Sequence, residues 1–182
     1  MRVAGLDLAG SSGNATGYCL LDVGDVKSVV TRTLHSDDEI LRELGSARPD
    51  LTAVDAPLVY DGGRRLCDDI LREYGALPVT LKGMTVLAER GRALVSKLKA
   101  AGLEFIEVYS TASAKILGVY SRNDFTFQKS MTALDLQGDV NTRILSRDEL
   151  DAVMAAVTAY LHRIGQTRSV GDERGVIIIP KI

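Results

Sequence analysis

Two apolar runs of strand length, each closed by an aspartate, most constrain how this chain can fold. Residues 3–6 lead into Asp7, and residues 51–54 lead into Asp55, where Pro57 blocks any continuation. An unpaired carboxylate is costly to bury, so each acid is expected at the end of its strand. If both strands lie in one sheet, the two carboxylates meet at one edge of it.

The remaining pattern predicts a mixed α/β sheet with helices on both faces. Turn signals and alternation divide the opening into three successive strands. Capping boxes, apolar periodicity and terminal glycines mark the helices. The predicted strands cover residues 2–8, 15–23, 26–34, 51–54 and 103–109, and residues 175–180 form a final strand or packed arm. The predicted helices cover approximately residues 37–45, 65–74, 84–101, 123–137 and 147–163.

Composition limits the classes of function. The chain has 182 residues, a net charge of −2 and a pI near 5.7, which disfavours a protein that coats nucleic acid. Its two cysteines have no metal-ligand spacing. No segment approaches the roughly 20 apolar residues of a membrane span, and the chain enters a strand without a signal-peptide core. We therefore expect a cytoplasmic protein with no membrane partner.

The last long helix contributes two further acids. Ser146 and Glu149 form a capping-box pattern that places Asp148 in the first turn and Asp151 one turn later. Positions i and i+3 lie on one face, so both carboxylates can reach one site. Alanines at 152, 155, 156 and 159 would let this helix approach a sheet closely. A role for Asp148 in complementing the helix dipole remains open.

Convergent carboxylates repel each other unless a cation lies between them, and a divalent metal is the usual solution. Asp7, Asp55, Asp148 and Asp151 are therefore predicted metal ligands for metal-dependent phosphoryl chemistry. Glu107, late in its predicted strand, is either a rim residue or an additional catalytic acid.

Two groups of residues are candidates for substrate contact. Gly10 and Gly13 follow Asp7 in a loop whose spacing does not fit a P-loop, and they leave room for a phosphate backbone. Arg64 and Arg65, beside two glycines and shortly after Asp55, are the best candidates for phosphate contact among the basic residues. Most other basic residues in the middle of the chain are expected on solvated helix faces.

The pattern resembles the RNase H-like superfamily, whose acids come from the first strand, the fourth strand and a late helix. Asp148 and Asp151 are similar to the paired late-helix aspartates of RuvC-type resolvases. The chain also resembles a family of predicted RNase H-like nucleases in the segments 5–9, 55–57, 107–109, 148–152 and 176–180. That family usually has proline where Ser110 stands, and often histidine where Ser146 and Arg147 stand.

The resemblance implies a single RNase H-like α/β domain over residues 1–182, with a helical insertion at roughly residues 60–102. Its sheet would be mixed and five-stranded, with three antiparallel strands followed by parallel ones. It implies a nuclease that hydrolyses phosphodiester bonds in DNA or RNA with Mg²⁺ or Mn²⁺ held by the four aspartates. A nucleic acid is the expected partner, and a homodimer is compatible with the sequence.

Two alternatives remain open. A nucleotide-binding protein of the actin and sugar-kinase type shares this topology, although such proteins place two domains around a cleft. The other alternative is a non-catalytic interaction domain that kept the fold. Tight ATP binding would favour the first, and an absence of Mn²⁺ binding at millimolar metal would favour the second.

Overall fold

A computed structural model describes residues 1–181 of the chain. Its eight strands are β1 (Arg2–Asp7), β2 (Thr16–Val23), β3 (Lys27–Leu34), β4 (Leu51–Asp55), β5 (Phe105–Val108), β6 (Leu136–Gly138), β7 (Thr167–Asp172) and β8 (Gly175–Pro180). Its seven α-helices are α1 (Asp37–Ala47), α2 (Leu66–Ile70), α3 (Lys82–Ala100), α4 (Ser110–Ile116), α5 (Asp124–Ser130), α6 (Asp139–Thr142) and α7 (Arg147–Arg163). Short 3₁₀ turns at Leu71–Tyr74 and Met131–Leu134 extend α2 and α5.

All eight strands form one mixed sheet in the order β6-β3-β2-β1-β4-β5-β8-β7. The antiparallel β1, β2 and β3 are followed by the parallel neighbours β4 and β5, as predicted. The predicted number of five strands is wrong. A three-residue β6 extends one edge of the sheet, while β8 pairs with β5 and carries β7 on the other edge.

The extra strands were missed for physical reasons. β6 has three residues, too few to show a period, and it pairs with β3 at the edge of the sheet. β7 is an edge strand with exposed polar residues such as Arg168 and Ser169, so it lacks the apolar signal of a central strand. The predicted final apolar strand at the C-terminus corresponds to β8.

Helices cover both faces of the sheet, as predicted. On one face, Ile40 and Leu44 of α1 and Leu94 and Leu98 of α3 pack in a common core with residues of β1, β2 and β4. On the other face, α7 packs with α4 and α5 against the opposite side chains of the same strands. None of the helices within residues 1–181 is long and apolar enough to cross a membrane.

Glycines on the sheet bring α7 into close contact with it. A Cβ on Gly5 of β1 would lie 2.1 Å from the carbonyl oxygen of Ala152, and one on Gly17 of β2 would lie 1.9 Å from that of Asp148. Real Cβ atoms do not approach backbone so closely, so α7 can occupy this position only because both residues are glycine. The small alanines of α7 and these glycines together allow the helix to approach the sheet closely. This contact sets the distance of Asp148 from the sheet.

The segment between β4 and β5 is mostly helical, in the region expected to be an insertion. Residues 65–74 form α2 and a 3₁₀ turn rather than one continuous helix, and α3 begins at Lys82 rather than residue 84. Residues 123–137, predicted as a helix, divide into α5, a 3₁₀ turn and the start of β6. Asp135, at positive φ, ends the 3₁₀ turn before β6. The single domain over residues 1–182 stays a prediction.

Candidate active site

Four aspartates from three elements of secondary structure converge at one end of the sheet. Asp7 ends β1 and Asp55 ends β4, and the two residues are register partners in adjacent parallel strands. Asp148 and Asp151 lie in the first turns of α7, whose N-terminus packs on Gly17 beside Asp7. We call Asp7, Asp55, Asp148 and Asp151 the acid cluster.

The N-terminus of α7 is held by the predicted capping box. The hydroxyl of Ser146 accepts a hydrogen bond from the backbone N–H of Glu149, and the Glu149 carboxylate accepts one from the N–H of Ser146. Glu149 is buried, and it also pairs with Arg143 and accepts a hydrogen bond from Thr31 of β3. The cap therefore fixes α7 to the sheet and sets the direction in which Asp148 and Asp151 project.

The carboxyl groups of the acid cluster have raised pKa values, because they are buried and because negative charges lie near them. Burial, followed by the charges of Asp55, Asp151 and Asp148, raises the pKa of Asp7 well above its ordinary value. Burial and the charge of Asp151 raise the pKa of Asp55 to about 7, although a hydrogen bond from the backbone N–H of Ser110 opposes this shift. Burial also raises the pKa of Asp151 to about 6 and, to a smaller extent, that of Asp148. The protein surroundings of the cluster therefore disfavour the full ionisation of its four carboxyl groups.

Arg147 is the cation next to the cluster. Its Nε donates a hydrogen bond to Asp151 at 3.2 Å, and its Nη1 donates to Asp124 and to the carbonyl of Ser121. The guanidinium carbon lies 5.4 Å and 4.8 Å from the ring centroids of Tyr120 and Phe127. The hydrogen bond from Arg147 goes to Oδ2 of Asp151, and the buried Oδ1 of the same carboxylate has no hydrogen-bond partner within residues 1–181.

The acid cluster fits a divalent metal in its chemistry. Mg²⁺ and Mn²⁺ prefer carboxylate oxygens, and a buried oxygen without a partner, such as Oδ1 of Asp151, needs a donor or cation. Within residues 1–181, however, no three His, Cys, Asp or Glu side chains are already arranged as a ligand set. Binding would therefore require a change in the positions of the carboxylates, of which Asp55 now accepts a hydrogen bond from Ser110 and Asp151 accepts one from Arg147.

Glu107 lies beside the acid cluster and has different partners. Its Oε1 is 2.8 Å from Nη1 of Arg65, and its Oε2 accepts a hydrogen bond from the backbone N–H of Leu58 at 2.7 Å. Arg65 also forms a two-point contact with Asp68, through Nε at 3.2 Å and Nη2 at 2.6 Å. Burial raises the pKa of Glu107 to about 7, and Arg65 opposes the shift. We call Arg65, Asp68 and Glu107 the ionic triad.

The triad changes the expectation for Arg65. Its side chain is only 2% exposed and its guanidinium is directed inward, so it is not available for the phosphate contact that the sequence suggested. Its neighbour Arg64 is 64% exposed and pairs with Asp69 at the surface, where it remains accessible. No sequence signal separates the two adjacent arginines, because the partner Glu107 lies far along the chain.

The loop after Asp7 is held in place by an arginine of α3. The Nη1 of Arg90 donates hydrogen bonds to the carbonyls of Ala9 and Ser11, and its other nitrogens contact Asp37 and the carbonyl of His35. Gly10 and Gly13 lie in this loop, and a Cβ on Gly13 would meet no atom within 4 Å. Arg90 is only 9% exposed, so the expectation of a solvated helix face is wrong for this residue.

Comparisons with known proteins identify the fold. No family model matches the chain, and neither does any curated protein. Two solved structures of Thermus thermophilus RuvC do match it. One, in complex with a Holliday junction substrate, has a TM-score of 0.57 and 14% identity, and the other has a TM-score of 0.58 and 15% identity. Each match covers 91% of this chain and 97% of the RuvC chain. The chain therefore has an RNase H-like fold, and at this identity the likeness shows the fold alone.

Proposed function

We propose that this protein is a divalent-metal-dependent nuclease that hydrolyses phosphodiester bonds in DNA or RNA. The observation that carries the proposal is the convergence of Asp7 with Asp55, Asp148 and Asp151 at one end of the sheet. Burial and each of the other three acids raise the pKa of Asp7, so a cation bound between the carboxylates would favour full ionisation of the cluster. The RuvC structure bound to a Holliday junction supports nucleic acid as the substrate class.

The four aspartates would hold Mg²⁺ or Mn²⁺. When bound, such an ion supplies Lewis acidity toward the phosphate oxygens and acidifies the attacking water. Asp55 is oriented by the N–H of Ser110, and Asp148 and Asp151 are oriented by the capped N-terminus of α7. Arg147, which donates a hydrogen bond to Asp151, would lie beside a bound metal as a cation available to a phosphate oxygen of the substrate.

Two other groups would position the substrate. Asp7 and Asp148 line one polar depression together with Gly10 and Asn14 of the first loop. Arg90 fixes this loop beside Asp7, so the depression in which we propose that a sugar-phosphate backbone binds keeps its shape. Arg64, exposed at the surface, is the basic residue that we retain for phosphate contact.

The proposal is tested with a panel of single-stranded, duplex, RNA–DNA hybrid and four-way-junction substrates in Mn²⁺. We expect the wild-type protein to cleave at least one of them, and Asp7→Asn and Asp151→Asn each to lower cleavage by about 10²-fold or more. Asp25→Asn is the matched control, because Asp25 is exposed in the turn after the end of β2, whereas Asp7 pairs with Gly17 near the start of that strand. Cleavage that survives in the Asp7→Asn, Asp151→Asn double variant would contradict the assignment.

Calorimetry with Mn²⁺ tests the site without any substrate. The wild-type protein and Asp25→Asn should bind the ion alike, and Asp7→Asn should bind it more weakly. Size-exclusion chromatography with light scattering tests whether the protein forms the homodimer that the sequence allows.

A further inference from the structure

A pocket lies directly beside the acid cluster. It has a volume of about 190 Å³, and residues of α3 and of the segment that follows α2 line it. Asp7 and Asp55 form one side of it, and Glu107 and Tyr109 at the end of β5 form another. The pocket therefore touches the same carboxylates that the proposed reaction uses.

The remaining walls of the pocket are mainly apolar. They are formed by Pro57 after β4, by Ala76 and Leu77 before α3, and by Met84 and Leu87 in its first two turns. Gly91 allows this arrangement, because a Cβ there would lie 2.2 Å from the carbonyl oxygen of Pro57. The close contact between α3 and the end of β4 keeps the pocket narrow. A flexible methionine among these walls suits contact with an aromatic ring.

The charged groups that line the pocket are acidic overall. Asp68 and Glu107 share one cation, Arg65, and Asp7 and Asp55 add further negative charge. All three side chains of the ionic triad are buried, so the polar floor is rigid. An anionic group such as a phosphate would be repelled from this space, whereas a neutral group with apolar faces and polar edges would fit it.

We propose that this pocket receives one unpaired nucleobase of the nucleic acid that is cut at the acid cluster. The base is the part of a nucleotide that is neutral and planar, and a pocket smaller than the roughly 300–1,000 Å³ of drug-sized ligand sites suits a single ring system. The phosphate would stay outside, at the acid cluster. A base inside a duplex cannot reach such a pocket without leaving the stack. The substrate is therefore a strand with an unpaired nucleotide at the cleavage position.

This inference rests on the proposed nuclease function, and it is tested by filling the pocket. Leu77→Trp places a bulky side chain at the mouth, where Leu77 is already 55% exposed, so the fold should tolerate it. Leu81→Trp is the matched control, because Leu81 is 47% exposed and does not line the pocket. Neither residue belongs to the acid cluster, so metal binding should be unchanged in both variants.

The first readout needs no turnover. Ligand-observed NMR is recorded with adenosine, cytidine and ribose 5-phosphate, and the nucleosides should show contact with the wild-type protein and with Leu81→Trp. Ribose 5-phosphate should show none, and Leu77→Trp should lose the nucleoside signals. Equal nucleoside signals in the two tryptophan variants, or no signal in the wild-type protein, would overturn the pocket assignment.

The second readout uses cleavage. An abasic site is placed next to the mapped cut, and we expect kcat/KM of the wild-type protein to fall by roughly fivefold to a hundredfold, the range for one lost base contact. Leu77→Trp should lower cleavage of the intact strand by a similar factor and leave the abasic strand unaffected. If the abasic site and Leu77→Trp each lower kcat/KM independently, so that their two factors multiply when combined, the base pocket is overturned. The nuclease function itself would not be affected by that result. If Asp7→Asn leaves the rate of metal-dependent cleavage unchanged, the acid cluster is not the nuclease site.

Discussion

The acid cluster and the ionic triad are neighbours at the same end of the sheet, yet they satisfy their buried acids in opposite ways. In the triad, both oxygens of Glu107 have partners and Asp68 receives two hydrogen bonds from Arg65. In the cluster, Arg147 donates a hydrogen bond to one oxygen of Asp151, and the Oδ1 of Asp151 has no partner within residues 1–181. Buried acids with complete protein partners stabilise a fold, whereas those left without them are suited to bind something else.

The difference predicts that removing a charge harms one region and relieves the other. Arg65→Met leaves Asp68 and Glu107 buried without their cation, and we expect it to lower the free energy of unfolding by about 3–5 kcal/mol. Asp7→Asn removes repulsion and should be neutral or stabilising. Urea denaturation of the metal-free proteins measures both. Arg64→Met is the control, because Arg64 pairs only at the surface, and it should change stability little. A mild effect of Arg65→Met would show that the triad is not a structural unit.

Metal should stabilise the cluster and not the triad. Mn²⁺ at 100 times its dissociation constant should raise the free energy of unfolding by about 2.7 kcal/mol in the wild-type protein. At the same Mn²⁺ concentration, the increase in the free energy of unfolding should be smaller in Asp151→Asn, because this variant lacks one carboxylate oxygen that could bind the ion. Thermal denaturation with and without Mn²⁺ gives the shift. Equal gains in the two proteins would place the metal elsewhere.

The stability of the metal-free protein should fall as the pH rises. A carboxyl group with a raised pKa in the folded chain binds more protons folded than unfolded, so its contribution to stability is lost with increasing pH. The window runs from the ordinary value of 3.8 to about 7 for Asp55 and about 6 for Asp151. Thermal denaturation between pH 4 and pH 7 should therefore show a downward slope that Asp7→Asn reduces. A slope unchanged by this substitution would argue against charge repulsion in the cluster.

The smallest expected effect concerns Arg147, the cation that contacts Asp151 of the cluster. Arg147→Gln removes a positive charge and a competing partner of Asp151. We expect Mn²⁺ to bind roughly fivefold more tightly, the factor for an interaction of about 1 kcal/mol in a well-solvated site. Calorimetry measures the affinity. Weaker binding in this variant would mean that Arg147 orients Asp151 for the metal rather than competing with it.

Local chemistry made much of the fold predictable. Alternation and turns gave β1, β2 and β3, and the capping box at Ser146 and Glu149 gave the start of α7. The acids at the ends of β1 and β4 followed from the cost of burying a charge within an apolar strand. The edge strands β6 and β7 could not be predicted in this way, because one is too short and the other too polar to carry a periodic signal.

The sequence by itself determined where each acid stands along its own strand or helix, since periodicity and capping act over a few residues. Only the tertiary structure decided which acids have partners. Asp55 and Glu107 both lie late in parallel strands, but Arg65 from a distant loop reaches one and not the other. The need for glycine at positions 5 and 17 is likewise visible only in the tertiary structure, where α7 packs against both residues. Contacts between distant segments depend on packing, and no local pattern records them.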